Sequence, residues 1–324
     1  MNFLVTGGAG YIGSFMTRRL LDEGHSVIVA DSLERGKEAF VDKRAKLSTG
    51  NLLDKEFVKN LFDEKFDAVF HFAGYISMAE SVERPDLYLK NNVISSMNLA
   101  SEMIKTGQNN FIFSSTAGVY GVPQITPIPE DHPKVPDNPY GESKLTVEVI
   151  LDWYKKNENL NFIALRYFNA AGASLDGSIG EDHIPETHII PLAIKAMLTD
   201  QDFSLYGIDY DTPDGSAIRD YIHVLDLVEA HLLAFEKISK ERDGFYYNVG
   251  TGKGHSNREI VQTIEKIAGK KIKVVEKERR AGDVPILIAD SSKIKKELGF
   301  APKYSDIDTI IKSALSWHKK QFKI

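Results

Sequence analysis

The chain has 324 residues, 42% hydrophobic and 27% charged, with a formal net charge of -6. That balance suits one large globular domain or two closely joined ones and argues against a general nucleic-acid binder. There is no cysteine, which excludes disulfides, thiolate metal sites and cysteine nucleophiles and fits a reducing, cytoplasmic setting. The first apolar run enters a glycine turn at once, and no run is long enough to cross a bilayer. Neither a signal peptide nor a membrane helix is therefore expected.

In chain order, 2–6 reads as a short buried strand, followed by Gly7-Gly-Ala-Gly-Tyr-Ile-Gly13 and by helical apolar spacing over 14–23. A second strand over 26–30 ends at Asp31. In a strand–turn–helix–strand unit, Gly7, Gly10 and Gly13 permit a tight turn, a close approach to a pyrophosphate and packing of the helix on the strand. Asp31, 18 residues beyond Gly13, is placed to accept from ribose hydroxyls and repels a 2'-phosphate. The expected cofactor is NAD rather than NADP.

Alternation continues with a strand at 45–48, a helix at 57–62 and a strand at 68–72 that ends in Ala73-Gly74. Next come a long amphipathic helix from Asn91-Asn92 to 106 and a strand at 110–113, leading into Ser114-Ser-Thr-Ala-Gly-Val-Tyr-Gly121. A proline-bearing connection then delivers Tyr140, and 161–165 is a further strand. Repeated strand–helix units predict a parallel sheet covered on both faces, with ligands at the carboxyl ends of its strands.

Tyr140-Gly-Glu-Ser-Lys144 puts a phenol and an ammonium one helical turn apart. A phenol with a reference pKa of about 10 is a poor base at neutral pH. A neighbouring cation stabilises the phenolate and fits it to exchange a proton with an alcohol.

After Asn169 the alternation weakens. A polar stretch at 172–186 precedes a helix at 189–197, a strand at 203–206 and an acidic, turn-rich segment at 209–218. A strong helix at 225–237 has the apolar face to pack back on the main sheet. A strand at 245–249, a serine-capped helix at 256–268, a strand at 271–275 and a final helix at 307–319 follow. Arg219, Arg279 and Arg280 matter because a diphosphate needs fixed positive charge and the guanidinium offers paired planar donors, although surface solvation is the default for any single arginine. His71, His223 and His255 read as structural. The Asp, Glu and His residues show no compact ligand spacing, so no metal is expected.

The motifs already quoted, with His71-Phe-Ala-Gly74, Asn91-Asn-Val93 and Arg166-Tyr-Phe-Asn169, resemble the extended short-chain dehydrogenase/reductases over nearly the whole chain. Gly180-Glu-Asp-His183, Pro185-Glu-Thr-His188, Arg219-Asp-Tyr-Ile-His223 and Arg279-Arg-Ala-Gly-Asp283 are closer to the epimerase branch than to the superfamily at large. The resemblance implies an α/β fold, a Rossmann-type doubly wound parallel sheet with a smaller mixed α/β carboxyl-terminal domain. It implies NAD binding by 1–168, with 219–245 packing back on it, and UDP-sugar binding mainly by 169–324. The implied activity is interconversion of UDP-glucose and UDP-galactose by oxidation at C4, turning of the 4-keto sugar and reduction from its other face. A homodimer through helices near 91–106 and 141–156 is implied as well.

Residue by residue, the resemblance makes Tyr140, Lys144 and Thr116 catalytic. Tyr11 and Ile12 would meet the pyrophosphate, Asp31 the adenosine ribose, and Asn51 and Leu52 the adenine. Phe72, Ala73, Gly74 and Asn91 would line the dinucleotide, with Phe168 at its nicotinamide end. Asn169, His188, Ile189, Ile190, Tyr206, Arg219, Arg280 and Asp283 match the UDP-sugar site. Three residues depart from the pattern: Asn51 where an aspartate is common, Ile76 where some members have lysine, and Leu287 at the position that gates sugar size. Leu287 leaves N-acetylated sugars open. A dehydratase of the same family would need an acid–base pair directly after Thr116, where Ala117-Gly118 stand. A decarboxylase would need a pocket for a uronate carboxylate. A silent NAD-binding sensor would lack Tyr140 or Lys144, and both are present.

Overall fold

The computed structural model describes residues 1–280 and 283–323. The first half carries β1 (Asn2–Thr6), α1 (Tyr11–Asp22), β2 (Ser26–Asp31), β3 (Lys46–Thr49), α2 (Lys55–Leu61), β4 (Ala68–His71), α3 (Met78–Glu83), α4 (Pro85–Tyr88), α5 (Ser95–Thr106), β5 (Asn110–Thr116), α6 (Pro139–Glu158) and β6 (Asn161–Tyr167). The second half carries β7 (Asn169–Ala171), α7 (Ile189–Leu198), β8 (Asp202–Tyr206), β9 (Ile218–His223), α8 (Val224–Lys240), β10 (Gly244–Val249), β11 (Gly254–Ser256), α9 (Asn257–Ala268), β12 (Lys273–Lys277), β13 (Ile286–Leu287), α10 (Ser292–Leu298) and α11 (Ile307–Phe322).

Seven strands form one parallel sheet in the order β10-β6-β5-β4-β1-β2-β3. Successive side chains of a strand point to opposite faces, and the core divides accordingly. Phe3, Val5, Val29 and Phe70 face α1 and α8 on one side, with Phe3 edge-on to Phe235 of α8 at 4.9 Å. Leu4, Val69, Phe111 and Phe113 face Leu99 and Met103 of α5 and Val147 and Leu151 of α6 on the other. Full burial of each such side chain contributes roughly 1.5–3 kcal/mol. A separate core of α7, α9, α11 and β8 underlies the second half.

The chain passes from β6 through Phe168 into β7, which joins a smaller sheet by pairing with β9; β11 and β13 flank β9 there. The helix expected at 225–237 is α8, which packs on β5 and β6. β10 then returns to the edge of the large sheet, where it pairs with β6. Ser256 and Glu259 form a reciprocal capping box at α9. His223 caps α8 by accepting from the Leu225 amide at 3.1 Å.

Behind the sheet ends lies a buried ion pair. The Arg166 guanidinium donates to both carboxylate oxygens of Glu148 at 2.9 and 2.6 Å, and also to Tyr120 and the Glu130 carbonyl. Ser115 donates to the same carboxylate at 2.6 Å. Both charged side chains are 2% exposed, and the pair ties β5 and β6 to α6. Removing one member of such a pair leaves an uncompensated buried charge. Glu148→Ala is expected to lower the free energy of unfolding by about 3–5 kcal/mol, measured by urea denaturation; an unchanged midpoint would contradict that role.

Candidate functional site

The sheet reverses its direction of growth between β1 and β4. In open parallel sheets the crevice outside the strand ends at such a point receives ligands. The glycine turn after β1 and the segment 72–74 after β4 line it, and they touch: a Cβ on Gly7 would come within 2.6 Å of the Ala73 amide nitrogen. A Cβ at Gly13 would lie 2.3 Å from the Gly7 carbonyl oxygen, so α1 approaches the turn as closely as it does only with glycine there. The first amides of α1, at Tyr11 and Ile12, precede the first intrahelical bond, from Ser14 to the Gly10 carbonyl. No acidic side chain occupies that turn. A dinucleotide pyrophosphate fits this set of donors and the positive end of the helix dipole.

Asp31 is buried at the end of β2 and accepts from the amides of Ala9 (3.0 Å) and Leu33 (2.9 Å). The phenol of Tyr11 is committed elsewhere, donating to the Gly172 carbonyl at 2.6 Å. Any pyrophosphate contact from Tyr11 therefore falls to its backbone. Asn51 accepts from Leu53 through its side-chain oxygen, which leaves the amide nitrogen to face a ligand. Leu52 is buried beside it, and Phe72 packs against His231. Asn91 and Asn92 lie in a wider π turn, Leu89–Ile94, between α4 and α5. Asn91 is half-buried and donates to its neighbour, whereas Asn92 bonds the backbone of Tyr75 and the Ser143 hydroxyl. His71 is a core residue, bonded to Thr6 and Ser96, and burial lowers its pKa to about 3.

Asn138 caps α6 by accepting from the Gly141 amide at 2.9 Å, and Pro139 occupies the first turn. This start places Tyr140 and Lys144 on the helix face toward β5. A Cβ at Gly141 would sit 2.5 Å from the Gly118 carbonyl oxygen, so the helix lies directly against the turn that follows Thr116. Burial raises the pKa of the Tyr140 phenol, and the neighbouring Thr116 hydroxyl opposes that. Burial also lowers the Lys144 ammonium to about 8. That ammonium donates to the Ser114 carbonyl at 2.9 Å and lies 4.9 Å from the centre of the Phe113 ring. A Cβ on Gly74 would be 3.5 Å from the Lys144 nitrogen, so the lysine borders the crevice at the exit of β4.

Phe168 packs with Leu287 on Val119, Tyr120 and Ile128, and Leu287 pairs with Arg219 across β13 and β9. Arg219 reaches Asp283 at 3.5 Å, and the Asp283 amide donates to the Arg280 carbonyl. The guanidinium of Arg280 lies 4.1 Å from the centre of the Tyr206 ring. β8 ends at Tyr206 and packs against α7. Asn169 donates to the Asp220 carbonyl at 2.9 Å. Arg219, Arg280, Tyr206, Asp283, Asn169 and Leu287 therefore lie on connected elements; Ala281 and Gly282 of that motif fall outside the described residues. Arg279 is held by Asp209 at 2.7 Å. His188 precedes α7, with Ile189 half-buried and Ile190 buried in its first turn. Leu192 donates to the His188 carbonyl, so the preceding amides have no intrahelical acceptor.

Sequence reasoning passed over several residues. Tyr167 bonds Ser114 beside Tyr140, and burial, then Tyr140, raise its pKa. Asn92 sits next to the residue chosen from its motif, and only its tertiary partners set it apart. The expectation of no compact ligand spacing is also corrected: Glu181, His183, Glu186 and His188 bring one ligand atom each within 4.8 Å of one another.

Residues 3–250 match the NAD dependent epimerase/dehydratase family. Over 321 residues the chain is 46% identical to a UDP-glucose 4-epimerase of Lactobacillus helveticus, covering 98% of this chain and 97% of that protein. It is similar to the crystal structure of UDP-glucose 4-epimerase from Brucella ovis in complex with NAD, with a TM-score of 0.94, 43% identity and 97% of each chain covered. It is likewise similar to the Bifidobacterium longum UDP-glucose 4-epimerase in complex with NAD+ and UDP, with a TM-score of 0.93, 38% identity and coverage of 99% of this chain and 98% of that one.

The contact at Gly141 has a direct test. Gly141→Ala introduces a methyl group against a carbonyl that cannot retreat without moving the turn. Overpacking of this kind costs about 1–3 kcal/mol, and thermal or urea unfolding is expected to register that loss. A neutral or stabilising effect would mean that the helix has room to withdraw.

Proposed function

The chain belongs to the NAD dependent epimerase/dehydratase family, and on that premise we propose that it interconverts UDP-glucose and UDP-galactose with NAD as a retained cofactor. The observation that carries the reading is the placing of Tyr140 beside Thr116 and one helical turn from Lys144, which borders the crevice at Gly74. A base and a hydrogen-bonding hydroxyl that meet there are suited to one alcohol oxygen. Nearly full-length similarity to UDP-glucose 4-epimerases supports the substrate.

Gly7, Gly10, Tyr11, Ile12 and Gly13 hold the pyrophosphate by backbone amides, and Asp31 takes the ribose hydroxyls. Asn51 and Leu52 flank the adenine; Phe72, Ala73, Gly74, Asn91 and Phe168 line the remainder. Bound NAD supplies reversible two-electron oxidation of the C4 alcohol. Tyr140 takes the proton of the sugar 4-hydroxyl as its carbon is oxidised and returns it after the 4-keto sugar has turned. Thr116 fixes the oxygen. Lys144 holds the cofactor at Gly74, and its charge, one helical turn from the phenol, opposes the effect of burial. Arg219 and Arg280 anchor the diphosphate, aided by the amides before Leu192; Asn169, His188, Ile189, Ile190, Tyr206 and Asp283 complete the site. The anchor holds while the sugar turns, so loose contacts around the hexose suit the reaction. We assign 1–168 to NAD and 169–324 mainly to the UDP-sugar.

Ile94, Met97, Val149 and Trp153 are exposed on the helical segments 89–106 and 139–158. This apolar face supports a homodimer through those helices. No helix among the described residues is long and apolar enough to cross a membrane, and we assign the protein to the cytoplasm.

Incubation with UDP-galactose, followed by NMR, is expected to yield UDP-glucose, and Tyr140→Phe to slow that turnover roughly 10^2- to 10^4-fold with UDP affinity retained. A decarboxylated or dehydrated product from a UDP-sugar in place of the epimer would overturn the reading, and normal turnover by the variant would remove Tyr140 from it. The same assay with UDP-N-acetylglucosamine decides what Leu287 admits. Lys144→Met removes a positive charge, which disfavours the phenolate and raises its pKa. The acid limb of the kcat/KM profile is therefore expected to move to higher pH, and a limb that stays in place would take Lys144 out of the proton transfer.

A further inference from the structure

The segment between the glycine turn and α7 gathers four side chains that the reaction above does not use as acids or bases. Nδ1 of His188 lies 2.8 Å from a carboxylate oxygen of Glu181 and 2.9 Å from one of Glu186. Nδ1 of His183 lies 3.2 and 3.7 Å from oxygens of the same two carboxylates. Both imidazoles thus present the same nitrogen toward the same pair of acids. The His188 nitrogen has hydrogen-bond geometry toward Glu186 alone, so its equally close approach to Glu181 is not a hydrogen bond. The His183 nitrogen is buried and makes no hydrogen bond among the described residues.

From this arrangement we propose that Glu181, His183, Glu186 and His188 form a divalent metal site, suited to Zn2+, that clamps this segment. A tetrahedral zinc with bonds of about 2.0–2.1 Å holds its ligand atoms roughly 3.3–3.4 Å apart, and one ligand atom from each of the four residues already lies within 4.8 Å of the others. Two neutral imidazoles and two carboxylates balance a charge of +2. Nitrogen with oxygen donors suits zinc better than calcium or magnesium, which favour oxygen alone. An ion there gives the buried His183 nitrogen a partner along its lone pair.

The surroundings hold the ligands in place. Trp317 of α11 donates to the Glu181 carbonyl at 2.9 Å, and Glu181's side chain is 5% exposed. The ring of Tyr11, at the start of α1, meets His183 edge-on with centroids 6.1 Å apart. The clamp would therefore couple three elements: α1, α11 and the start of α7. Its function is structural, since all four positions are taken by protein groups and none is open to substrate.

The test uses the full chain without a histidine tag. After dialysis against a chelator, titration with Zn2+ followed by calorimetry is expected to show about one equivalent per chain and a raised melting temperature. Co2+ in its place is expected to give the intense visible absorption of a four-coordinate ion. His183→Ala and the near-isosteric Glu186→Gln are each expected to weaken Zn2+ binding roughly 100-fold or more. Absence of a saturable equivalent, the pale spectrum of six-coordinate cobalt, or unchanged affinity in Glu186→Gln would each overturn the proposal. The cobalt spectrum of the unaltered chain decides the matter even where a variant fails to fold.

Discussion

Growth of the large sheet in two directions from β1 is the constraint on which the remaining structure depends. Right-handed crossovers carry β2 and β3 to one side and β4, β5 and β6 to the other. The connections that leave β1 and β4 therefore diverge onto opposite faces and open a crevice between them. The glycine turn, the segment at 72–74 and the Lys144 ammonium all border that opening, although they lie far apart in the chain. Close packing at two glycines makes the arrangement possible: Gly13 lets α1 rest on its turn, and Gly141 lets α6 rest on the turn after β5. The sequence features that look like loop punctuation are thus the conditions for bringing helix ends to the rim.

Electrostatics around the rim separate two kinds of charge. Arg166 and Glu148 are paired, bonded on several sides and out of reach of solvent, so they fix β5, β6 and α6 relative to one another. Among the described residues Lys144 has no carboxylate partner; its ammonium rests on a backbone carbonyl and an aromatic face, and burial lowers its pKa to about 8. Tyr140 is pushed the opposite way by the same burial, with Thr116 pulling against it. Burial thus moves the two groups apart and favours the neutral form of each, which a bound positive charge beside the phenol would counter. Rigid support from the first pair keeps the second pair's geometry from depending on either titration.

The second half of the chain serves the first by returning to it. After β6 the chain leaves the large sheet through Phe168, builds the small sheet that carries Arg219 and Leu287, and comes back as α8 and β10. An apolar helix and a strand inserted late in the sequence complete the cover and the edge of the large sheet. The two halves consequently share a core, and residues at their junction, such as Phe168 and Leu287, pack on one small cluster of Val119, Tyr120 and Ile128.

Much of this was legible in the linear chain because its signals are local. Apolar runs of strand length alternating with helical spacing predicted the parallel sheet, and the three glycines predicted the tight turn that joins β1 to α1. Spacing alone set Tyr140 and Lys144 on one helical face. Other features depend on partners distant in sequence and left no local mark. Asn92 rather than Asn91 bridges Tyr75 and Ser143, the Tyr11 phenol turns to Gly172, and Glu148 finds Arg166 only when α6 crosses β6. The convergence of Glu181, His183, Glu186 and His188 belongs to this second group, because an irregular segment has no period that would show its side chains turning inward. Periodicity and chain stiffness fixed the elements and one face of each, whereas which polar groups meet was decided by packing, since burial alone dictates the partner each must find.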